Sequence, residues 1–79
     1  MAHVGLWRWK VQFVTGLVAR RKTLSRGFLC LDPSTQRMDL LDAELVRVDA
    51  RDLRKFEVIH PGSMIYCPCH ATLVGSKIP

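Results

Sequence analysis

The chain lacks an even number of cysteines, long apolar runs and, in its first third, acids, and each absence narrows the class of protein. Its 79 residues include three cysteines, Cys30, Cys67 and Cys69. An odd number, two of them separated by a single residue, does not make the disulfide framework of a small secreted domain. Such usage fits a reducing compartment, the cytosol or the nucleus. The longest apolar runs are four or five residues, as at 28–31, whereas a membrane-spanning helix needs about 20. There is no phosphate loop, no Gly-x-Gly-x-x-Gly and no paired-carboxylate arrangement, so nothing points to nucleotide hydrolysis or general acid–base work. What is present is apolar content of 48%, too much for a disordered tail. A chain of this length makes one domain, expected over residues 1–79 with its core at about 10–70. So small a domain buries only about 60% of the surface its unfolded chain exposes, and it gains from a partner subunit.

The charge is uneven. Residues 1–31 carry Arg8, Lys10, Arg20, Arg21, Lys22 and Arg26 and no acid, whereas residues 32–79 carry seven acids against six bases. A basic half favours anionic partners, RNA or an acidic protein surface. It also has the Arg-rich, acid-poor character of an organelle transit peptide, but it holds few hydroxyl residues and its apolar period is two.

That period begins at Trp-Arg-Trp-Lys-Val-Gln-Phe, residues 7–13, where apolar and polar residues alternate strictly. Trp7, Trp9, Val11 and Phe13 would share one face of a strand. A first strand is expected at about residues 10–19, with the tryptophans entering it or closing one end of a barrel. A basic turn follows, then a second strand at 26–32, ended by the turn signal Asp32-Pro33-Ser34-Thr35. Residues 37–55 are ambiguous. Met38, Leu41, Leu45 and Val48 fall at helical spacing, yet Leu45-Val46-Arg47-Val48 suits a strand. A strand at 37–49 followed by a charged loop at 50–54 agrees with its neighbours. A fourth strand is expected at 56–60, a Pro61-Gly62 turn after it, and a short fifth strand at 63–67 ended by Pro68. The tail from residue 71 shows no clear period. Five short strands with tight turns predict an all-β fold, a small, strongly bent antiparallel barrel with room for a short N-terminal turn or helix.

Two stretches resemble a known family. Arg26-Gly27-Phe28-Leu29-Cys30-Leu31-Asp32 resembles the second strand of the Sm and Sm-like (LSm) proteins. Val58-Ile59-His60-Pro61-Gly62-Ser63-Met64-Ile65 resembles their second motif, an apolar strand running into a glycine turn and a short last strand. The likeness covers residues 11–66. It departs at Gln36, where the family has asparagine, and at His60-Pro61 before Gly62, where the family has arginine. Those two family residues help form a base pocket for uridine-rich RNA, so base-specific binding is not implied. Gly27-Phe28 with Asp32-Pro33 most resembles the Gemin-six type of subunit in the survival-of-motor-neuron complex. The resemblance implies an Sm-like (SH3-like) barrel that acts as a non-enzymatic scaffold, in the cytoplasm and nucleus, in the assembly of spliceosomal small nuclear ribonucleoproteins. Its implied partner is another Sm-fold protein, of the Gemin-seven type, as a heterodimer within that larger assembly.

In this family the fourth strand of one subunit pairs with the fifth strand of the next. The implied partner-binding residues are Phe56, Val58 and His60 on one strand and Met64, Ile65, Tyr66 and Cys67 on the other. Backbone hydrogen bonds would give affinity and alternating side chains specificity. As an alternative, Arg20, Arg21, Lys22 and Arg26 would meet phosphate in the turn at 20–26, in a small basic RNA-binding module; a solvated turn is the plainer explanation of these charges. Cys67-Pro68-Cys69-His70 offers zinc ligands but not the spacing of common zinc folds, even with Cys30 or His60 added, so no metal or other cofactor is expected. Cys67 or Cys69 beside His60 or His70 could be drawn as a nucleophile and base, but so small a barrel supplies no substrate pocket.

Overall fold

The alternation at residues 7–13 decides what lies inside. The structure, a computed structural model, describes residues 6–15, 23–68 and 70–79. Among them are six strands and no helix: β1 Trp7–Thr15, β2 Thr23–Asp32, β3 Arg37–Asp42, β4 Arg47–Asp52, β5 Met64–Cys67 and β6 His70–Ile78. They form one antiparallel sheet in the order β4-β3-β2-β1-β6-β5. The sheet curls strongly into a half-barrel, so the all-β, bent-barrel expectation holds with six strands in place of five.

Trp9, Val11 and Phe13 point into the curl and are buried. Leu29 and Leu31 of β2, Met38 and Leu40 of β3, Ile65 and Cys67 of β5 and Val74 of β6 meet them there. Trp7 lies on the same face but at the end of the barrel, half exposed, with its ring T-shaped to that of Trp9 and Lys77 Nζ 4.4 Å from its centroid.

Several expected boundaries move. The first strand starts earlier, at Trp7, and its expected last residues, 16–19, lie outside the described residues. The second starts at Thr23. The single strand expected at 37–49 is two strands joined by a tight turn. That turn carries neither glycine nor proline. The Asp42 carboxylate closes it instead, accepting from the Glu44 and Val46 amides at 2.9 and 3.0 Å, while Leu45 takes a positive φ of 66°. Asp32 does the same at the preceding reversal, where the Ser34 amide and hydroxyl donate to its carboxylate at 3.0 and 2.7 Å. The hydroxyl bond, more than any other, holds the Asp32 carboxyl below the usual carboxylate range. The charged loop expected at 50–54 belongs largely to β4, and the tail is the strand β6, central to the sheet.

Gly27 allows the bend. A Cβ there would stand 2.0 Å from the Leu41 carbonyl oxygen of β3 and 2.8 Å from the Phe13 ring. The glycine thus serves a close approach of backbones, which an ordinary hairpin glycine would not. Gly27→Ala is expected to lower stability by about 3 kcal/mol, at the upper end of the overpacking range because one neighbour is backbone. Urea denaturation followed by tryptophan fluorescence measures it, and an unchanged midpoint would contradict this account of the bend.

Candidate functional site

A curled sheet has two edges unless its end strands pair, and here they do not. β4 and β5 are the outer strands of the sheet, with no ladder between them. Side chains bridge the seam instead. On β4, Asp49 and Arg51 lie opposite Leu40 and Met38 of β3, which are fully buried, and so face the interior. His70, at the start of β6, places Nδ1 2.8 Å from Asp49 Oδ2. An N–H on that nitrogen donates to the carboxylate, and the Phe13 ring packs edge-on against the imidazole with centroids 5.7 Å apart. Arg51 donates through Nη2 to Glu57 Oε2 at 2.5 Å, with both side chains mostly buried. Glu57 also accepts from the Arg54 amide. The segment 53–63 that follows β4 is thereby tied to it, while Leu53 and Ile59 pack against the core.

The edge of β5 is the open one. Val74 donates its amide to the Ser63 carbonyl, and Cys67 lies opposite His70 across the turn. In an antiparallel pair, backbone groups face the neighbour at every second residue. Ile65 and Cys67 therefore bond toward β6, and the amides and carbonyls of Met64 and Tyr66 point away from the sheet. Among the described residues, no backbone hydrogen bond takes up those groups.

The expected partner-binding residues divide accordingly. Met64 and Tyr66 stand outward, 56% and 61% exposed, whereas Ile65 and Cys67 are core residues whose side chains meet no partner. Phe56, Val58 and His60 are not on a strand, which corrects that expectation: residues 53–63 are turns and irregular backbone. The reason is Glu57, whose side chain reaches back to Arg51 instead of alternating in a ladder, with Pro61-Gly62 turning the chain directly after. Phe56 is nonetheless conspicuous. It is 91% exposed at a positive φ of 67°, with Lys55 Nζ 5.2 Å from its ring centroid. A bulky residue in that conformation is strained, and such strain gathers at functional segments. Val58, two residues on, is 72% exposed. Arg26 sits exposed on β2, while Arg20, Arg21 and Lys22 lie outside the described residues.

The cysteines offer little chemistry. Burial pushes the Cys67 and Cys30 thiols above the ordinary range, Cys67 despite a hydrogen bond with Thr72 and Cys30 despite the charge of Arg8. A buried thiol kept neutral is a poor nucleophile. Among the described residues, no three His, Cys, Asp or Glu side chains gather as a metal site, and Cys69 lies outside them.

Asp49 and His70, which bridge the seam, and Arg51 and Glu57, which tie the following segment to β4, carry no expected role in the sequence. The signal for two of them was present: Asp49 and Arg51 are two apart, the spacing of one strand face, next to a strand with buried Met38 and Leu40. No protein-family model matches the chain, and neither a curated protein nor a solved structure gives a significant match. Function has therefore to be read from the geometry.

Two outcomes follow. The hydrogen bond from Arg51, more than anything else, holds the Glu57 carboxyl below the usual carboxylate range. A carboxyl with a lower pKa folded than unfolded stabilises the fold fully above its unfolded pKa, about 4.3. That contribution is lost as pH falls through the folded value. Glu57→Gln, which leaves the mostly buried Arg51 without its countercharge, should thus cost about 1–3 kcal/mol at pH 7 and nothing at low pH, read from urea midpoints across pH 3–7; an equal cost at every pH would contradict the ion pair. In a Cys69→Ser chain, iodoacetamide should leave Cys30 and Cys67 unmodified in native buffer and label both in denaturant, as read by mass spectrometry. Native labelling of Cys67 at the denatured rate would show that its burial is wrong.

Proposed function

We infer that the chain is a protein-association module whose open β5 edge accepts a strand from a partner. The observation that carries this inference is the outward direction of the Met64 and Tyr66 backbone groups on an end strand, flanked by their own exposed side chains. An exposed edge bearing apolar side chains is a template for pairing, and native proteins usually blunt it with charge or proline. Residues 63–67 carry no charge and no proline; the prolines stand just outside, at Pro61 and Pro68. Strand addition draws affinity from the backbone and specificity from alternate side chains. Tyr66 and Phe56 are the aromatic anchors that such interfaces favour. The Asp49–His70 bridge lies toward the Cys67 end of β5, so a strand would enter from the Met64 end.

The Sm-like resemblance names the partner class: a second Sm-fold protein, first of all one of the Gemin-seven type, within the survival-of-motor-neuron assembly. The role is scaffolding, with no covalent step. The fit is closer on one side than the other, since β5 coincides with the expected fifth strand while the exposed residues ahead of it lie in a loop.

Proline at position 66 distinguishes strand addition from side-chain contact. The Tyr66 amide faces away from β6, so its loss leaves the fold's own ladder intact. Against a Gemin-seven-type protein in a surface-binding assay, Tyr66→Ala should weaken binding about ten-fold. Tyr66→Pro should remove binding altogether, with circular dichroism unchanged for both. Equal affinity for the two variants would rule out strand addition. Wild-type chain that recovers no Sm-fold protein from extract would rule out the partner class.

A further inference from the structure

The opposite surface of the sheet carries a second feature. Side chains that alternate with the core residues of β1 and β2 point outward, and those of Arg8, Lys10 and Arg26 are exposed. Cross-strand register sets Lys10 opposite Phe28 and Gln12 opposite Arg26, a block of four side chains on one face. On its other side β1 meets β6 through a bulge: Trp9 faces Lys77 and Val11 faces Val74, so Lys10 alone opposes Gly75 and Ser76. At Gly75 a Cβ would stand 2.8 Å from the Lys10 carbonyl oxygen, so no larger residue fills this place. The result is a hollow of about 430 Å³ between the aliphatic and aromatic side chains of Leu73 and Phe28, rimmed by Lys10 and Arg26 with Gln12 between them. No acid lines it. Among the described residues, Arg8, Lys10 and Arg26 take part in no ion pair.

We propose that this hollow binds single-stranded nucleic acid, one base against Phe28 and Leu73 and the flanking phosphates on Lys10, Arg26 and Arg8. Free cations beside an apolar, aromatic floor are the combination that holds a base and its backbone without reading sequence. Arg8 and Lys10 are two residues apart on one strand, about 6.6 Å, which lets them follow successive phosphates. Gln12 offers both a donor and an acceptor to a base edge. An acidic peptide would satisfy the cations and leave the aromatic wall unused. The site shares only Arg26, a β2 residue, with the basic group expected at 20–26 and shares nothing with the β5 edge, so it stands or falls independently of the partner inferred above.

Fluorescence polarisation of the full chain with labelled 12-nucleotide single-stranded RNA and DNA, from 25 to 200 mM salt, tests it. Three phosphate contacts predict a log–log salt slope of about −2. Lys10→Ala with Arg26→Ala should lower affinity at least ten-fold and bring the slope to about −0.7. Phe28→Leu should lower affinity about ten-fold and leave the slope alone, which separates stacking from charge; circular dichroism confirms that each variant folds. Three results would overturn the proposal: no binding at 25 mM salt, binding lost only when Arg20, Arg21 and Lys22 are replaced, or a polyglutamate peptide bound as tightly as RNA and indifferent to Phe28→Leu.

Discussion

The sheet ends in two strands that lie across a seam from one another without backbone pairing, and most of what is distinctive in the molecule depends on how that seam is bridged. Asp49 with His70 crosses it by side chains alone, while Arg51 with Glu57 ties the segment that leads toward β5 back onto β4. A mostly buried ion pair such as Arg51–Glu57 contributes little net stability, because desolvation offsets much of the attraction, but leaving one partner unpaired is costly. They therefore fix a geometry more than they strengthen it. Their consequence is the free backbone of β5. A fully laddered barrel would have used the Met64 and Tyr66 amides itself. In a domain this small, with little apolar area to bury, a strand supplied by another chain adds stability by mass action.

Charge is sorted along the same lines. Six of the seven acids are engaged: Asp32 and Asp42 close turns, Asp49 bridges the seam, Glu57 ties the segment after β4 to Arg51, and Asp39 and Asp52 approach Arg47 and Arg37. The described bases outside β1 and β2 are mostly occupied too. Arg37, Arg47 and Arg51 have acids, and Lys55 and Lys77 lie over aromatic rings. Of the six cations of the acid-free first third, the three described ones, Arg8, Lys10 and Arg26, fall on one outward face of β1 and β2. Residues 32–79 carry seven acids against six bases, so the net charge of +5 comes entirely from the first third of the chain.

This division also explains which parts of the fold were legible. β1, β2 and β5 could be read because the inward residues at their centres are apolar, as at Trp9, Val11 and Phe13, Leu29 and Leu31, or Ile65 and Cys67. The second half of β4, residues 50–52, reads as a loop because the inward residues of this strand, Asp49 and Arg51, are polar; a strand face that meets a charged neighbour does not look like a core face. β6 lacked a period because Thr72 is fully buried, donating to the His70 carbonyl, while Leu73 is exposed and Gly75 sits at a bulge. The turn at Asp42 went unread because a carboxylate did the work of glycine or proline. Phe56 was placed on a strand by its composition, but the neighbouring Glu57 is drawn back to Arg51, and that contact shapes the segment. In each case a polar side chain overrides the local apolar pattern, through a partner 21 residues away for Asp49 and His70 and through neighbours two to six residues away for Asp42, Thr72 and Glu57, and apolar periodicity displays neither kind of contact.

The two surfaces meet at β6. Leu73 lies opposite Met64 of the edge strand on one side and opposite Gln12 of β1 on the other, and it also walls the hollow. A strand added to β5 would continue the same sheet, and its outward side chains would stand beside Met64 and Tyr66, one strand further from Leu73. The face that carries the hollow would then run on across the partner without a break. A partner with cations or aromatics at those positions would lengthen the track along which a single strand of nucleic acid lies, and one with acids there would shorten it. Association at the edge and binding on the face use different atoms, yet the pleat of one sheet makes them neighbours, so the identity of the added strand sets the reach of the face.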